Sequence, residues 1–198
     1  MCVLAGGAIA TALGMYLLHP QRLETGYTPR QPVAYSHKLH AGNLGMDCRY
    51  CHTAVETAAH ANIPATETCM NCHKTVRKDS ALLQEVRDSY SSGQPIPWVR
   101  VHKLPDYVYF NHSAHLNAGV SCASCHGRVD QMVEVKQVQP LTMAWCLECH
   151  RDPAPHIRPK ELVTRLDWKP SGDPRIIGAE LVQKLKINPP TNCSGCHR

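Results

Sequence analysis

Ten of the eleven cysteines fall into five copies of one pattern: Cys48-Arg-Tyr-Cys51-His52, Cys69-Met-Asn-Cys72-His73, Cys122-Ala-Ser-Cys125-His126, Cys146-Leu-Glu-Cys149-His150 and Cys193-Ser-Gly-Cys196-His197. C-x-x-C alone serves zinc ribbons and redox dithiols, but a histidine directly after the second cysteine is the attachment pattern of c-type haem. Two thiols reach the two vinyl groups of one porphyrin, and the neighbouring imidazole sits beneath the iron. Zinc draws four ligands from paired halves, which five motifs do not supply evenly, and it gives no reason for the recurring histidine. Closing each C-x-x-C on itself as a disulfide strands the same histidines, and iron-sulfur clusters use denser cysteine runs. Five haem c groups are therefore expected, with His52, His73, His126, His150 and His197 as proximal ligands. Cys2 stands outside every motif.

Five porphyrins change what the polypeptide must do. With 198 residues, a single phenylalanine and only 6% aromatic residues, there are roughly 40 residues per cofactor, and the haems themselves must supply much of the apolar interior. Folding is expected to depend on them, as small metal-bound domains depend on their ligand. The expected fold class is mostly α with irregular loops, since fifteen prolines break the chain often, in a small multihaem cytochrome c wrapped around its haems with one N-terminal transmembrane helix.

Cys2 to Leu18 carries no charge, a length at the short end of a membrane span. No basic segment precedes it and no clear cleavage site follows, so an uncleaved anchor is favoured over a signal peptide; a chain starting further upstream would leave Cys2 open to lipidation. Residues 1–19 are read as a transmembrane anchor with His19 at the interface, and 20–33 as an extended linker. A first two-haem module follows over 34–78, a connecting segment over 79–108, a second two-haem module over 109–154, and a tail over 155–198 with the fifth motif. The connector should hold a helix from Ser80 to Tyr90, capped by Asp79 or Ser80, with Leu82, Leu83, Val86 and Tyr90 on one face. Alternation at Val133 to Lys136 suggests a short strand or hairpin. Asp173-Pro174 should open a tail helix reaching about Lys186, with Ile177, Leu181 and Leu185 together.

The two modules are an internal repeat. His37 and His112 are 75 positions apart, as are His40 and His115, whereas His52 and His126 are 74 apart and Cys69 and Cys146 are 77 apart. Each repeat opens on H-x-x-H, His37/His40 and His112/His115. Histidines three apart on a helix share a side but cannot both occupy one open axial position, so each pair should serve two different irons and hold neighbouring haems close. Thirteen histidines less five proximal ones leave eight, enough for every iron to be six-coordinate. His60 and His102 are the alternatives for the fifth distal ligand, with His156 read as free. Met132 and Met143 are competing ligands near haem motifs, although packing is the commoner role of methionine.

Tyr35-Ser-His37-Lys-Leu-His40 and Phe110-Asn-His112-Ser-Ala-His115, each followed by C-x-x-C-H, resemble the small multihaem class III cytochromes c. That resemblance implies that His37 serves the haem at Cys48/Cys51, that His112 serves the haem at Cys122/Cys125, and that His40 and His115 reach other haems. The segments PVAYSHKLHAGNLGMDCRYCH, ANIPATETCMNCH, PWVRVHKLPDYVYFNHSAHLNAGVSCASCHGRVDQM and LTMAWCLECHRDP resemble the pentahaem cytochrome subunit of bacterial alternative complex III over most of residues 32–154. Similar segments occur in multihaem subunits of molybdopterin oxidoreductases. The resemblance implies an electron-transfer subunit, not itself an enzyme, that works with integral-membrane quinol-oxidising subunits and an iron-sulfur subunit. It implies a monohaem cytochrome c or terminal oxidase as acceptor, and a haem domain on the periplasmic side of the bacterial inner membrane.

The formal charge of +5 does not make a nucleic-acid binder. Two propionates per haem, against one net positive charge at each ferric bis-histidine iron, bring the loaded protein to about zero. No lysine/arginine block or aromatic-interleaved basic patch stands out. The rival class is a multihaem nitrogen-compound reductase, which needs one iron left open for substrate; the surplus of histidines and the lack of a variant motif weigh against it.

Overall fold

The computed structural model describes residues 2–19 and 23–197, with side chains from residue 5. Met1 of the expected anchor and residues 20–22 of the expected linker lie outside the described residues. Eight α-helices are described: α1 (Cys2–Leu17), α2 (Cys48–Cys51), α3 (Thr66–His73), α4 (Gln84–Ser92), α5 (His112–Asn117), α6 (Cys122–His126), α7 (Met143–Arg151) and α8 (Pro174–Leu185). A π-helical turn at Lys38–Asn43 and short 3₁₀ turns join them. No strand occurs among the described residues, only isolated bridges between Val108 and His197 and between Val120 and Ile157.

α1 corrects the expectation of a transmembrane helix. It is apolar and exposed, but its 16 residues rise only about 24 Å, short of a hydrocarbon core of about 30 Å. No helix among the described residues is long and apolar enough to cross a membrane. The linker is likewise docked rather than free. Gly26 N–H donates to Gln137 O (2.7 Å), Gln137 N–H donates to Tyr27 O (3.0 Å), and Gln31 exchanges side-chain hydrogen bonds with the backbone of Val99.

Those bonds also explain why the strand expected at Val133 to Lys136 is absent. The neighbouring backbone at Gln137 pairs with the linker, and Val133 is left exposed. The connector helix begins later than expected. A 3₁₀ turn at Ala81–Leu83 leads into α4, and Ser80 makes no side-chain cap. Arg87 instead donates to the carbonyls of Lys78 and Ser80. Only Val86 of the expected stripe is buried, while Leu82 is exposed; Gly93, at φ 71°, ends the helix in the left-handed conformation that glycine adopts freely.

The tail helix matches its reading. Asp173 accepts from Arg175 N–H, Pro174 fills the first turn, and Lys186 ends it. It crosses the Ala154–His156 turn so closely that a Cβ on Gly178 would stand 1.6 Å from Ala154 O.

Two small apolar clusters hold these pieces. Val33, Met70, Val86 and Ile96 join the linker, α3 and the connector, while Val55, Leu116 and Val163 join both modules to the tail. The polypeptide exposes 13395 Å², whereas an ordinary folded protein of its mass exposes roughly 9,000 Å². A chain that leaves so much surface open is shaped around something else.

Candidate haem sites

The C-x-x-C-H motifs are built in two ways. In the first motif of each module the residue before the first cysteine caps a short helix made of the motif itself. Asp47 accepts from Arg49 N–H ahead of α2, and Ser121 accepts from Ala123 N–H ahead of α6. Asn192 does the same for the 3₁₀ turn Cys193–Gly195 of the fifth motif. The second motifs instead sit inside longer helices, α3 and α7, which begin three residues before their first cysteines. These caps were visible as Asp, Ser and Asn before cysteine, a signal that motif reading alone passes over.

The histidines of the two H-x-x-H pairs have matching surroundings. Tyr35 meets His37 edge-on (4.8 Å, 85°) and stacks on His40 (4.4 Å, 20°). Phe110 treats His112 and His115 in the same way (4.7 Å, 90°; 4.5 Å, 26°). The aromatic residue two positions before each H-x-x-H thus fixes both ring directions.

The imidazoles then meet across motifs. His40 and His73 have ring centroids 6.3 Å apart, His112 and His126 6.4 Å, and His115 and His150 6.0 Å. Two metal–nitrogen bonds of about 2 Å, plus about 1 Å from each nitrogen to its ring centre, amount to about 6 Å. The spacing therefore fits one iron between each pair. Among the described residues no three His, Cys, Asp or Glu side chains converge as a metal cage.

Ring orientation supports the same fit. Nδ1 of His40, His52, His73, His112, His115 and His150 lies 2.7–2.9 Å from the backbone carbonyls of Ser36, Asn62, Val76, Ala59, Asn111 and Pro190 respectively. A carbonyl only accepts, so each Nδ1 donates its proton and the neutral ring keeps its lone pair on Nε2 for a metal. Burial, reinforced by His52 and His40, lowers His37 to about 4. Burial, with His102, His112, His52 and His37 adding, lowers His126 to about 3. Both rings are neutral and ligand-competent at neutral pH.

The thiols are packed close together. Cys48 and Cys122 interact across the two modules, and this interaction is the largest cause raising Cys122 and lowering Cys48. Burial pushes Cys125 up to about 11, with Cys146 and Cys149 adding.

The fifth motif differs. His197 meets the ring of Tyr107, centroids 5.7 Å apart, and its Nδ1 is buried with no partner. His60 is exposed. His102 packs edge-on against His126 at 4.3 Å, too close for the two to face each other across one iron, and its Nε2 is buried and unpartnered. Met143 is exposed at the start of α7, and Met132 packs beside Gly127.

Residues 33–89 and 108–198 match cytochrome c7 and related cytochrome c. The chain belongs to that family. Covalently bound haem c comes with the family, and this cytochrome c is mostly helical, as its sequence suggested. It is 36% identical over 97 residues to "Menaquinone reductase, multiheme cytochrome c subunit" of Nitratidesulfovibrio vulgaris (strain Hildenborough), a match covering 48% of this chain and 45% of that protein. The chain spans about half the length of the curated relative it matches.

Proposed function

We propose that this cytochrome is the haem relay of a membrane quinone oxidoreductase, carrying five haem c groups on Cys48/Cys51, Cys69/Cys72, Cys122/Cys125, Cys146/Cys149 and Cys193/Cys196. The observation that carries the reading is the three imidazole pairs at 6.0–6.4 Å, which set His40 opposite His73 and divide His112 and His115 between two motifs. His37 with His52 completes the first site by the same repeat logic. The bound haems supply one-electron exchange at iron. The chain's own part is positional. Each thiol pair would hold one haem through two thioethers, the carbonyl-anchored imidazoles present Nε2 along a fixed direction, and Tyr35 and Phe110 hold paired rings in register.

Two imidazoles at each of these irons would suit electron relay and would leave no position for substrate, which disfavours the nitrogen-compound reductase. The finer assignment is to alternative complex III, with electrons leaving a membrane quinol through an iron-sulfur subunit towards a monohaem cytochrome c or terminal oxidase. The name of the Nitratidesulfovibrio relative favours a second reading, in which electrons run the other way, into menaquinone. In both readings the haem domain faces the periplasm, where haem is attached, and the partner subunits hold it at the membrane.

Gentle detergent extraction, mass spectrometry of the companions, and quinol-oxidation and quinone-reduction assays separate the two directions. Haem reduction by quinol together with iron-sulfur and integral-membrane companions supports the first; haem oxidation by menaquinone analogues supports the second. A resting protein dominated by high-spin ferric signals sinks the relay reading.

A further inference from the structure

We infer that the five motifs form one unbranched row in the order Cys69, Cys48, Cys122, Cys146, Cys193, so that the second and fifth motifs of the sequence are its two ends. The inference rests on the relay reading and adds the spatial order that sequence order does not give.

Four junctions carry it. The second and first motifs share an H-x-x-H. His40 reaches the His73 ring, and Tyr35 contacts both histidines of the pair. Asn71 Nδ2 of the second motif donates to Tyr50 Oη of the first (3.1 Å).

The first and third motifs meet across the modules. Thr164, which follows the Val163 that accepts from Cys122 N–H, donates to Asp47 (3.0 Å), and both the backbone N–H and Nδ1 of His112 reach Ala59 O just after the first motif. The third and fourth motifs share the second H-x-x-H through His112–His126 and His115–His150. The fourth meets the fifth where His150 Nδ1 donates to Pro190 O (2.7 Å), three residues before Cys193.

Exposure gives an independent mark of the ends. Of the ten motif cysteines, Cys72 and Cys193 are exposed and the other eight are half-buried. One exposed thiol belongs to each motif that the junctions place at an end. Partners that exchange electrons with this protein therefore approach the Cys69/Cys72 and Cys193/Cys196 sites, and the middle three sites are reached only through them.

The test is a structure of the haem-loaded full chain, read as iron–iron distances. The expected shortest links join the sites at Cys69 and Cys48, Cys48 and Cys122, Cys122 and Cys146, and Cys146 and Cys193. A nearest-neighbour link between the Cys69 and Cys193 sites, or three neighbours around any site, overturns the row. A spectroscopic test runs beside it. Removing one end with Cys193→Ala/Cys196→Ala should shift the EPR g-values of one remaining haem, while Cys122→Ala/Cys125→Ala should shift two. Equal disturbance by both variants counts against the order, and the wild-type structure decides if a variant does not accumulate. Five haems by pyridine haemochrome in another order sinks the row alone; fewer than five sinks the relay reading beneath it.

Discussion

The two modules set their H-x-x-H rings against an aromatic side chain in the same way but reach that placement along different backbones. In the second, His112 and His115 lie on α5, an ordinary helix, and seven positions separate His115 from Cys122. In the first, eight positions separate His40 from Cys48, and the chain runs through the π-helical turn Lys38–Asn43, with Leu44 N–H donating to Leu39 O. A π turn takes in one residue more than an α turn. The shift of the repeat from 75 to 74 positions, visible in the sequence, is thus the extra residue that this turn absorbs. Ring geometry was kept and backbone geometry gave way.

Both modules are then pinned by a glycine against a later backbone. A Cβ on Gly42 would stand 2.2 Å from Asp130 O, and one on Gly119 2.3 Å from Arg158 O. Gly119 also has φ 86°, and its carbonyl accepts from Arg158 N–H. The first module is braced by the second, and the second by the tail.

If the modules are equivalent at the iron, His40→Ala and His115→Ala should each convert one low-spin haem to high-spin, seen by EPR as one high-spin centre per protein. Two conversions from either variant would break the equivalence. The braces should separate them. Gly119→Ala, strained in both space and φ, should cost about 2–4 kcal/mol of stability, and Gly42→Ala, strained in space alone, about 1–3 kcal/mol; thermal melting of the haem-loaded proteins gives the ranking, and a reversed order refutes it.

The caps should differ less. Ser121 is buried, with Oγ donating to Val163 O, so Ser121→Ala should cost about 1–2 kcal/mol, and Asp47→Ala, more exposed, about 0.5–1 kcal/mol. Denaturant midpoints measure both.

The smallest effect is a pH slope found in the first module only. The side-chain hydrogen bond from Arg49, with further help from Thr164, lowers Asp47 to about 2, against about 3.9 unfolded. Its contribution is full above pH of about 4 and is lost as pH falls through about 2. Asp47→Asn should flatten stability across that window, and an unchanged slope would remove Asp47 as its source.

What the sequence disclosed follows from how local each signal is. The motifs, the H-x-x-H pairs and α8 were legible because thiol spacing, helical spacing and an Asp-Pro start are complete within a few residues. The absent strand was not, since the Gln137 backbone pairs with residues 26 and 27, more than a hundred positions earlier. α1 was read in the right place, but its helical extent fell short of the apolar run. The edge-on contact of His102 with His126 depends on how the connector folds back over the second module, which no spacing encodes. The caps at Asp47, Ser121 and Asn192 were within reach of a local rule and were hidden only by the louder motif beside them.

The hydrogen bond from His150 to Pro190 also sets a timetable. The ring of the fourth site takes its direction from a carbonyl 40 residues further along the chain, and the fifth motif is itself held by Tyr109 N–H donating to Cys196 O. The fourth site cannot reach its final geometry until the segment that carries the fifth motif has been delivered, so these two centres close together.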